Sequence, residues 1–326
     1  MPLLQFQSTC RTQTSGIEPK SLFFKFITKK SYFCACIVSQ PTSQLFSMEL
    51  NEFVRLSILE DIGSGDHTSL ACIPSAATGK AKLLVKGNGI LAGISAAKAI
   101  FEAIDPMLVV EILLNDGAAI KHGDIAFLVS GSQQSILKAE RLVLNVMQRM
   151  SGIATFTSLV VAQLQGTKTK VLDTRKTTPL FRFFEKEAVR IGGGTNHRFG
   201  LYDMIMLKDN HIDYAGGIKN AIEKTHEYLK KNQLNLKVEI EVRNLDELDQ
   251  VLAIGNIDRI MLDNFDIEML KKAVVRVAGR FETEASGGIA LQNIKQYAQT
   301  GVDFISMGQL THSIKSLDLS LKAVLD

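Results

Sequence analysis

From Gly166 to the end of this 326-residue chain, short apolar runs alternate with helical stretches of about a dozen residues, a rhythm that restricts the fold to one class. The runs are Lys170 to Leu172, Met204 to Leu207, Val238 to Val242, Arg259 to Leu262, Thr283 to Ala285 and Phe304 to Ser306. Parallel strands have this appearance because crossover helices cover both faces of their sheet, so a polar face is not needed. The repetition predicts a parallel α/β sheet with at least these six strands. Each run ends in charge or bare backbone: Arg175 and Lys176, Lys208, Glu241, Asp263, Ser286-Gly287-Gly288, and Met307-Gly308. In a barrel of parallel strands all C-terminal ends open on one face, so these residues are expected to converge there.

Upstream the pattern differs. Leu50, Phe53, Val54 and Ile58 recur at helical spacing and stop at Gly63-Ser64-Gly65-Asp66. Lys80 to Lys86 and Ile90 to Gly93 flank Gly87-Asn88-Gly89 in a hairpin-like arrangement, and strands are expected at Val109 to Leu114 and Ile125 to Val129, with a helix from Ser95 to Ile104. A helix over Ser135 to Met150, interrupted at Gly152, precedes a second over Ile153 to Leu164. Residues 48–155 therefore read as an α+β domain and 156–312 as the barrel, with a C-terminal helix, 313–326, packing back on the first domain.

Composition excludes several functions. A net charge of +3 does not suggest a nucleic-acid-binding surface, and the cations are concentrated locally, which suits a small anionic partner. Three of the four cysteines (Cys10, Cys34, Cys36) precede residue 48, leaving Cys72 alone in the body, so neither a disulfide framework nor a zinc set can be built. The body reads as a cytoplasmic protein of a reducing compartment. No apolar run approaches the ~20 residues of a membrane span. Residues 1–47 carry one acid, Glu18, against five basic residues, which suits either an organelle transit peptide or a segment upstream of a true start at Met48; the second is adopted here, with the leader otherwise disordered.

The densest chemistry lies between Val171 and His211. Arg175, Lys176, His197, Arg198 and Lys208 stand at two strand ends and in the loop between them, beside Gly192-Gly193-Gly194, whose backbone permits close approach of a ligand. Guanidinium groups match carboxylates two-point fashion, whereas Lys176 and Lys208 suit phosphate oxygens as point charges. Glu241 and Asp263 suit Mg²⁺, which is typically held by one or two carboxylates together with substrate phosphates. One of Glu239 and Glu241 should point into the barrel mouth, the later being nearer the rim. Thr178-Pro179 is expected to cap and start a helix whose apolar face is Leu180, Phe184, Ala188 and Ile191. The cation excess suits charge neutralisation as an anionic group departs from an oxocarbenium-like centre better than proton abstraction, although His197, His211 and His312 are bases by type. Arg141, by spacing alone, is a solvated helix-surface arginine.

The segments LEDIGSGDHTS, NVMQRMSGIAT, DTRKTTP, GGGTNHRFGLYDMIMLKDNH, VEIEV, IMLDNF, EASGGI and ISMGQLTHS, in this order, resemble the quinolinate phosphoribosyltransferase family. The likeness runs from about Met48 to the C-terminus, and DTRKTTP with LKDNH is its specific part. It implies an N-terminal α+β domain with an incomplete, open parallel α/β barrel, paired as a homodimer with shared active sites. It implies transfer of phosphoribosyl from phosphoribosyl pyrophosphate to quinolinate, with Mg²⁺ and loss of CO₂. Residues matching Arg175, His197 and Arg198 would hold the quinolinate carboxylates, joined by Arg141 from the neighbouring subunit, with Thr174 a further substrate-binding position. Lys176 and Lys208 would contact the ribosyl pyrophosphate or ring carboxylates, and Glu241 and Asp263 the ribose hydroxyls and metal. Ser286, Gly287, Gly288, Ser306, Met307 and Gly308 would cradle the 5′-phosphate, and His312 would be a further substrate-binding residue. Alternatives are a phosphoribosyltransferase of the same fold acting on another base, a class I aldolase using Lys208, and a non-catalytic phosphate or nucleotide sensor.

Overall fold

A computed structural model describes residues 42–324, with side chains from Leu50 onward; the leader expectation, 1–47, falls outside these apart from a few backbone positions of the first helix. Helix α1 (Thr42–Ile62) is followed by α2 (His67–Cys72), β1 (Thr78–Val85), β2 (Gly89–Ile90), α3 (Ile94–Ile104), β3 (Val109–Ile112), β4 (Ala119–Ile120), β5 (Ile125–Ser132) and α4 (Gln133–Gln163). The hairpin expected at Gly87-Asn88-Gly89 does not form: β2 pairs with β4, and β1 lies between β5 and the final strand, β12 (Leu319–Val324), antiparallel to both. The competitor is α4, since the Ile90 N–H donates to Thr155 Oγ1 at 2.8 Å and draws the chain away from β1.

The C-terminal segment returns to this sheet as a strand rather than the expected helix. Leu317, Leu319 and Leu321 are buried at alternate positions, the period of a strand, and Lys80 to Val85 pairs with Val324 to Leu319. Nor does Gly152 interrupt α4, which runs unbroken for 31 residues. A Cβ there would collide with the Lys315 carbonyl and stand 3.1 Å from Ile314 Cγ2, so the glycine serves a close crossing, not a break. Gln148 Nε2 donates to the Leu319 carbonyl at 2.8 Å, tying the helix to the returning strand.

The second half contains β6 (Lys170–Leu172), α5 (Arg182–Ile191), β7 (Ile205–Leu207), α6 (Asp209–Ala215), α7 (Ile218–Asn232), β8 (Val238–Val242), α8 (Leu245–Ile254), β9 (Arg259–Asp263), α9 (Ile267–Val277), β10 (Glu282–Ser286), α10 (Ile294–Ala298), β11 (Phe304–Ser306) and α11 (Gln309–His312). All six expected strands form one parallel sheet, in the order β6-β11-β10-β9-β8-β7. The edge strands β6 and β7 do not pair, so the barrel is open, as the resemblance implied. Helix α5 starts at Arg182, not at Thr178-Pro179, and Leu180 is exposed in the left-handed region at φ 62° instead of belonging to its apolar face.

Alternate strand residues divide cleanly. Val238, Ile240 and Val242, Ile260 and Leu262, and Ile305 are buried beneath the helices. In the same register the opposite face carries Glu239 and Glu241, then Arg259, Met261 and Asp263, then Glu282, Glu284 and Ser286, then Phe304 and Ser306. Residues i and i+2 share a face, so both Glu239 and Glu241 point inward, and the expectation that only one does is corrected. Barrel interiors are usually filled with branched apolar side chains; this one is charged.

Candidate active site

The rim collects the strand-end residues named from the sequence. Half-buried Glu241 has a carboxyl pushed up by burial and then by neighbouring Asp263, with the Lys208 ammonium opposing both. These three side chains, from the ends of β8, β9 and β7, are therefore close enough to act on one another. Two crowded carboxylates beside an opening are a donor set suited to a hard divalent cation. Asn264 Nδ2 donates to Asp263 Oδ2 at 2.6 Å and fixes its orientation.

Arg175 and Lys176 are exposed beyond β6, where Lys176 N donates to Thr174 Oγ1 at 3.0 Å. A Cβ at Gly308 would lie 2.9 Å from Lys176 Cδ and 3.1 Å from His312 Cδ2, so this glycine lets the β6 and β11 ends meet. Met307 N donates to the Leu172 carbonyl at 2.9 Å across the same junction, and Ser306 is buried below it. At the end of β10, Ser286 O accepts from Asn264 N at 2.8 Å, with Gly287 and Gly288 following. Arg198 Nη1 donates to the Met204 carbonyl at 3.0 Å, and burial followed by the Arg175 charge lowers its pKa, which places the two guanidiniums near each other. His211 Nδ1 accepts from Lys208 N at 3.0 Å, a structural role in capping α6. Arg141 is exposed on α4, with no hydrogen-bond or ion-pair partner among the described residues.

Two sequence readings change. Gly192 and Gly194 face the protein rather than a ligand: a Cβ at Gly192 would stand 2.7 Å from Thr157 Cβ, and one at Gly194 2.7 Å from Val189 Cγ1. Their smallness lets this loop cross α4 and α5. His197, expected at the rim, is buried with its ring turned into the barrel. Its Nε2 lies 3.0 Å from Glu239 Oε2 and 3.4 Å from Glu284 Oε2, and its Nδ1 faces Arg198 N at 2.6 Å. Nδ1 accepts from Arg198 N, while Nε2 faces the two carboxylates without making a hydrogen bond among the described residues.

Below the rim lie buried charges that the sequence reading missed. Lys186 pairs with Asp173, both almost completely buried, and also donates to the His197 carbonyl at 3.0 Å. Asp173 Oδ1 accepts from His197 N at 2.8 Å, and the Asn196 amide, with its nitrogen turned inward, donates to Asp173 Oδ2 at 2.7 Å. Burial pushes the Asp173 carboxyl up to about 6 against these donors, which still leaves it ionised at neutral pH. Burial lowers the His197 pKa and Glu239 and Glu284 raise it, while the Arg198 N–H against Nδ1 opposes a second ring proton. Burial and the Glu284 charge raise Glu239 to about 7, whereas His197 and Arg259 overcome burial to keep Glu284 low. Arg149 and buried Glu185 form a third brace: Arg149 Nη2 meets Glu185 Oε1 at 2.8 Å, and Thr178 Oγ1 donates to the same oxygen at 3.0 Å. The available signal was charge at period two within apolar strands, at Glu239, Arg259 and Glu284.

Residues 66–151 match the family described as quinolinate phosphoribosyl transferase, N-terminal domain, and residues 153–322 match its C-terminal domain. The chloroplastic, carboxylating nicotinate-nucleotide pyrophosphorylase of Arabidopsis thaliana is 47% identical over 289 residues, covering 84% of this chain and 82% of its own. A probable enzyme of the same name from Bacillus subtilis is 40% identical over 278 residues, covering 85% of this chain and 94% of its own. Among solved structures, the nicotinate-nucleotide pyrophosphorylase of Francisella tularensis superposes with a TM-score of 0.79 at 41% identity, over 85% of this chain and 96% of that one. With both domain matches covering most of its length, the chain belongs to the quinolinate phosphoribosyltransferase family.

Proposed function

We propose that this chain transfers the phosphoribosyl group of phosphoribosyl pyrophosphate to quinolinate and releases CO₂ and pyrophosphate, forming nicotinate mononucleotide for NAD biosynthesis. One observation carries the reading: a single barrel mouth brings Arg175, Arg198, Lys176 and Lys208 together with the Glu241–Asp263 pair and the backbone after β10 and β11. Quinolinate is a dianion, and Arg175 and Arg198 supply two planar forks for its two carboxylates. They hold its ring nitrogen toward C1′. The nitrogen lone pair forms the new bond to C1′ while the C1′–oxygen bond breaks and pyrophosphate leaves with that bond's electrons. The C2–carboxylate bond then breaks, CO₂ departs, and the electron pair left on C2 takes up a proton from water.

Lys176 and Lys208 offset the charge of the phosphorylated partner, with the greatest value when positive charge on the ribose and negative charge on the leaving group are separating. Glu241 and Asp263 would hold Mg²⁺, which when bound neutralises pyrophosphate oxygens. Ser286 to Gly288 and Ser306 to Gly308, with His312, surround the 5′-phosphate. Among the described residues no helix is long and apolar enough to cross a membrane. A cytoplasmic location is the reading carried by the cysteine content, while plant relatives are named chloroplastic and mitochondrial.

Arg141 completes the quinolinate site of a neighbouring copy in a homodimer. Its exposure and lack of a partner within the described chain support this. Mixing inactive Arg141→Ala with inactive Lys176→Ala subunits should restore up to about a quarter of wild-type activity per mixed population, since one site in each heterodimer then carries both native residues. Mass-verified heterodimers that stay inactive would refute sharing.

A further inference from the structure

The charged floor of the barrel has no assigned task in the reading above, and its composition is unfavourable for stability alone. Glu239, Glu284 and the His197 ring are buried, and Arg259, with little exposure, sits 3.0 Å from Glu284 and 4.2 Å from the Phe304 ring centre. Both Glu239 oxygens, Glu284 Oε1 and His197 Nε2 are buried and make no hydrogen bond among the described residues; the ring and the two carboxylates meet at ion-pair distance only. Apolar side chains of similar volume would fill this space at lower cost. What the ions provide and apolar groups cannot is a fixed orientation for one ring.

We infer that Glu239 and Glu284, braced by Arg259, are positioning residues for the transfer reaction: they seat the His197 imidazole on the barrel floor and through it fix the backbone at Arg198. The connection is short. The ring that faces the two glutamates through Nε2 meets Arg198 N at 2.6 Å through Nδ1, and the Arg198 guanidinium is one of the two forks at the rim. The backbone of His197 is held independently, its N by Asp173 and its carbonyl by Lys186, so the ring's torsion is the remaining freedom that the glutamates remove. The Arg198 N–H facing Nδ1 requires a lone pair there, so the ring proton lies on Nε2, toward the two carboxylates. The same three donors, within 4.8 Å of one another, could ligate a metal, but Arg259 already occupies Glu284 Oε2.

The inference rests on the proposed quinolinate site, and a double-mutant comparison separates the two. Glu239→Gln keeps shape but removes charge; it should raise KM for quinolinate roughly tenfold, a mid-range coupling between touching groups. KM for phosphoribosyl pyrophosphate should change less than about twofold, and the thermal midpoint should not fall, because an unsatisfied buried carboxylate has been removed. In a His197→Ala background, itself with raised KM for quinolinate, Glu239→Gln should add nothing. Additive losses, equal changes in both KM values with a lowered midpoint, or one tightly bound transition metal per chain that disappears in Glu239→Gln would overturn the inference while leaving the substrate site intact. A His197→Ala enzyme with unaltered KM for quinolinate would remove the His197–Arg198 reading itself, and the inference with it.

Discussion

Asp263→Ala is expected to keep its fold and lose turnover by about 10²–10³-fold, the usual cost of removing one member of a preorganised charge-stabilising set. Asp263 lies at the C-terminal end of β9, half-exposed, and its side chain accepts one hydrogen bond, from the adjacent Asn264. Its carboxylate also raises the pKa of Glu241, so its removal relieves a repulsion in the free protein. Stability should therefore be unchanged or slightly higher while activity falls. Lost activity should not return at saturating quinolinate if, as proposed, the carboxylate serves the phosphorylated substrate and its metal. The measurement is kcat against Mg²⁺ concentration together with circular dichroism. Unchanged Mg²⁺-dependent turnover would remove the metal assignment from this pair.

Lys186→Ala should produce the opposite division, a loss of roughly 3–5 kcal/mol of stability, the range for breaking a buried ion pair by removing one partner. Lys186 is 2% exposed and Asp173 is fully buried, so the alanine leaves a carboxylate without a cation in the interior. The damage reaches the site through two hydrogen bonds, since Lys186 also holds the His197 carbonyl and Asp173 holds the His197 N. Adding Asp173→Asn should recover part of the loss, because the stranded charge is then gone. Urea denaturation with the slope unchanged checks both values. A loss below about 1 kcal/mol, the level of a surface pair, would show that Asp173 and Lys186 are not locked together as described.

The fold was legible where hydrophobic periodicity was unopposed. All six barrel strands follow from short apolar runs, because strands covered by helices on one side have no polar alternative there. Errors arose where distant packing decided. Gly152 looks like a helix breaker locally but serves a crossing with the chain near Lys315, and Leu319 to Val324 joins β1 across more than two hundred residues. Gly192 and Gly194 likewise answer to Thr157 and Val189 rather than to a ligand.

The site divides in the same way. Strand-end residues such as Lys176, Lys208, Glu241 and Asp263 could be named from the sequence because parallel strands place their C-terminal ends together. The supporting charges could not, since Lys186 shares its helix with Arg182 and Arg190, and only the three-dimensional structure sets it against Asp173. Glu239 was within reach: it shares a face with Glu241 by the two-residue period of a strand, and applying that period strictly would have placed both inside. His197 shows the limit of a motif. Its position in the sequence is at the site, but its ring in this structure faces the floor.

The most direct measurement is to supply quinolinate labelled in its C2 carboxyl group, phosphoribosyl pyrophosphate and Mg²⁺ to the purified protein and to follow labelled CO₂ and nicotinate mononucleotide together. Equal amounts of both products are expected, with none when Mg²⁺ is chelated and little when nicotinate replaces quinolinate, since one of the two carboxylates proposed to engage Arg175 and Arg198 is then missing. Nicotinate consumed as readily as quinolinate, without CO₂ release, would contradict the account.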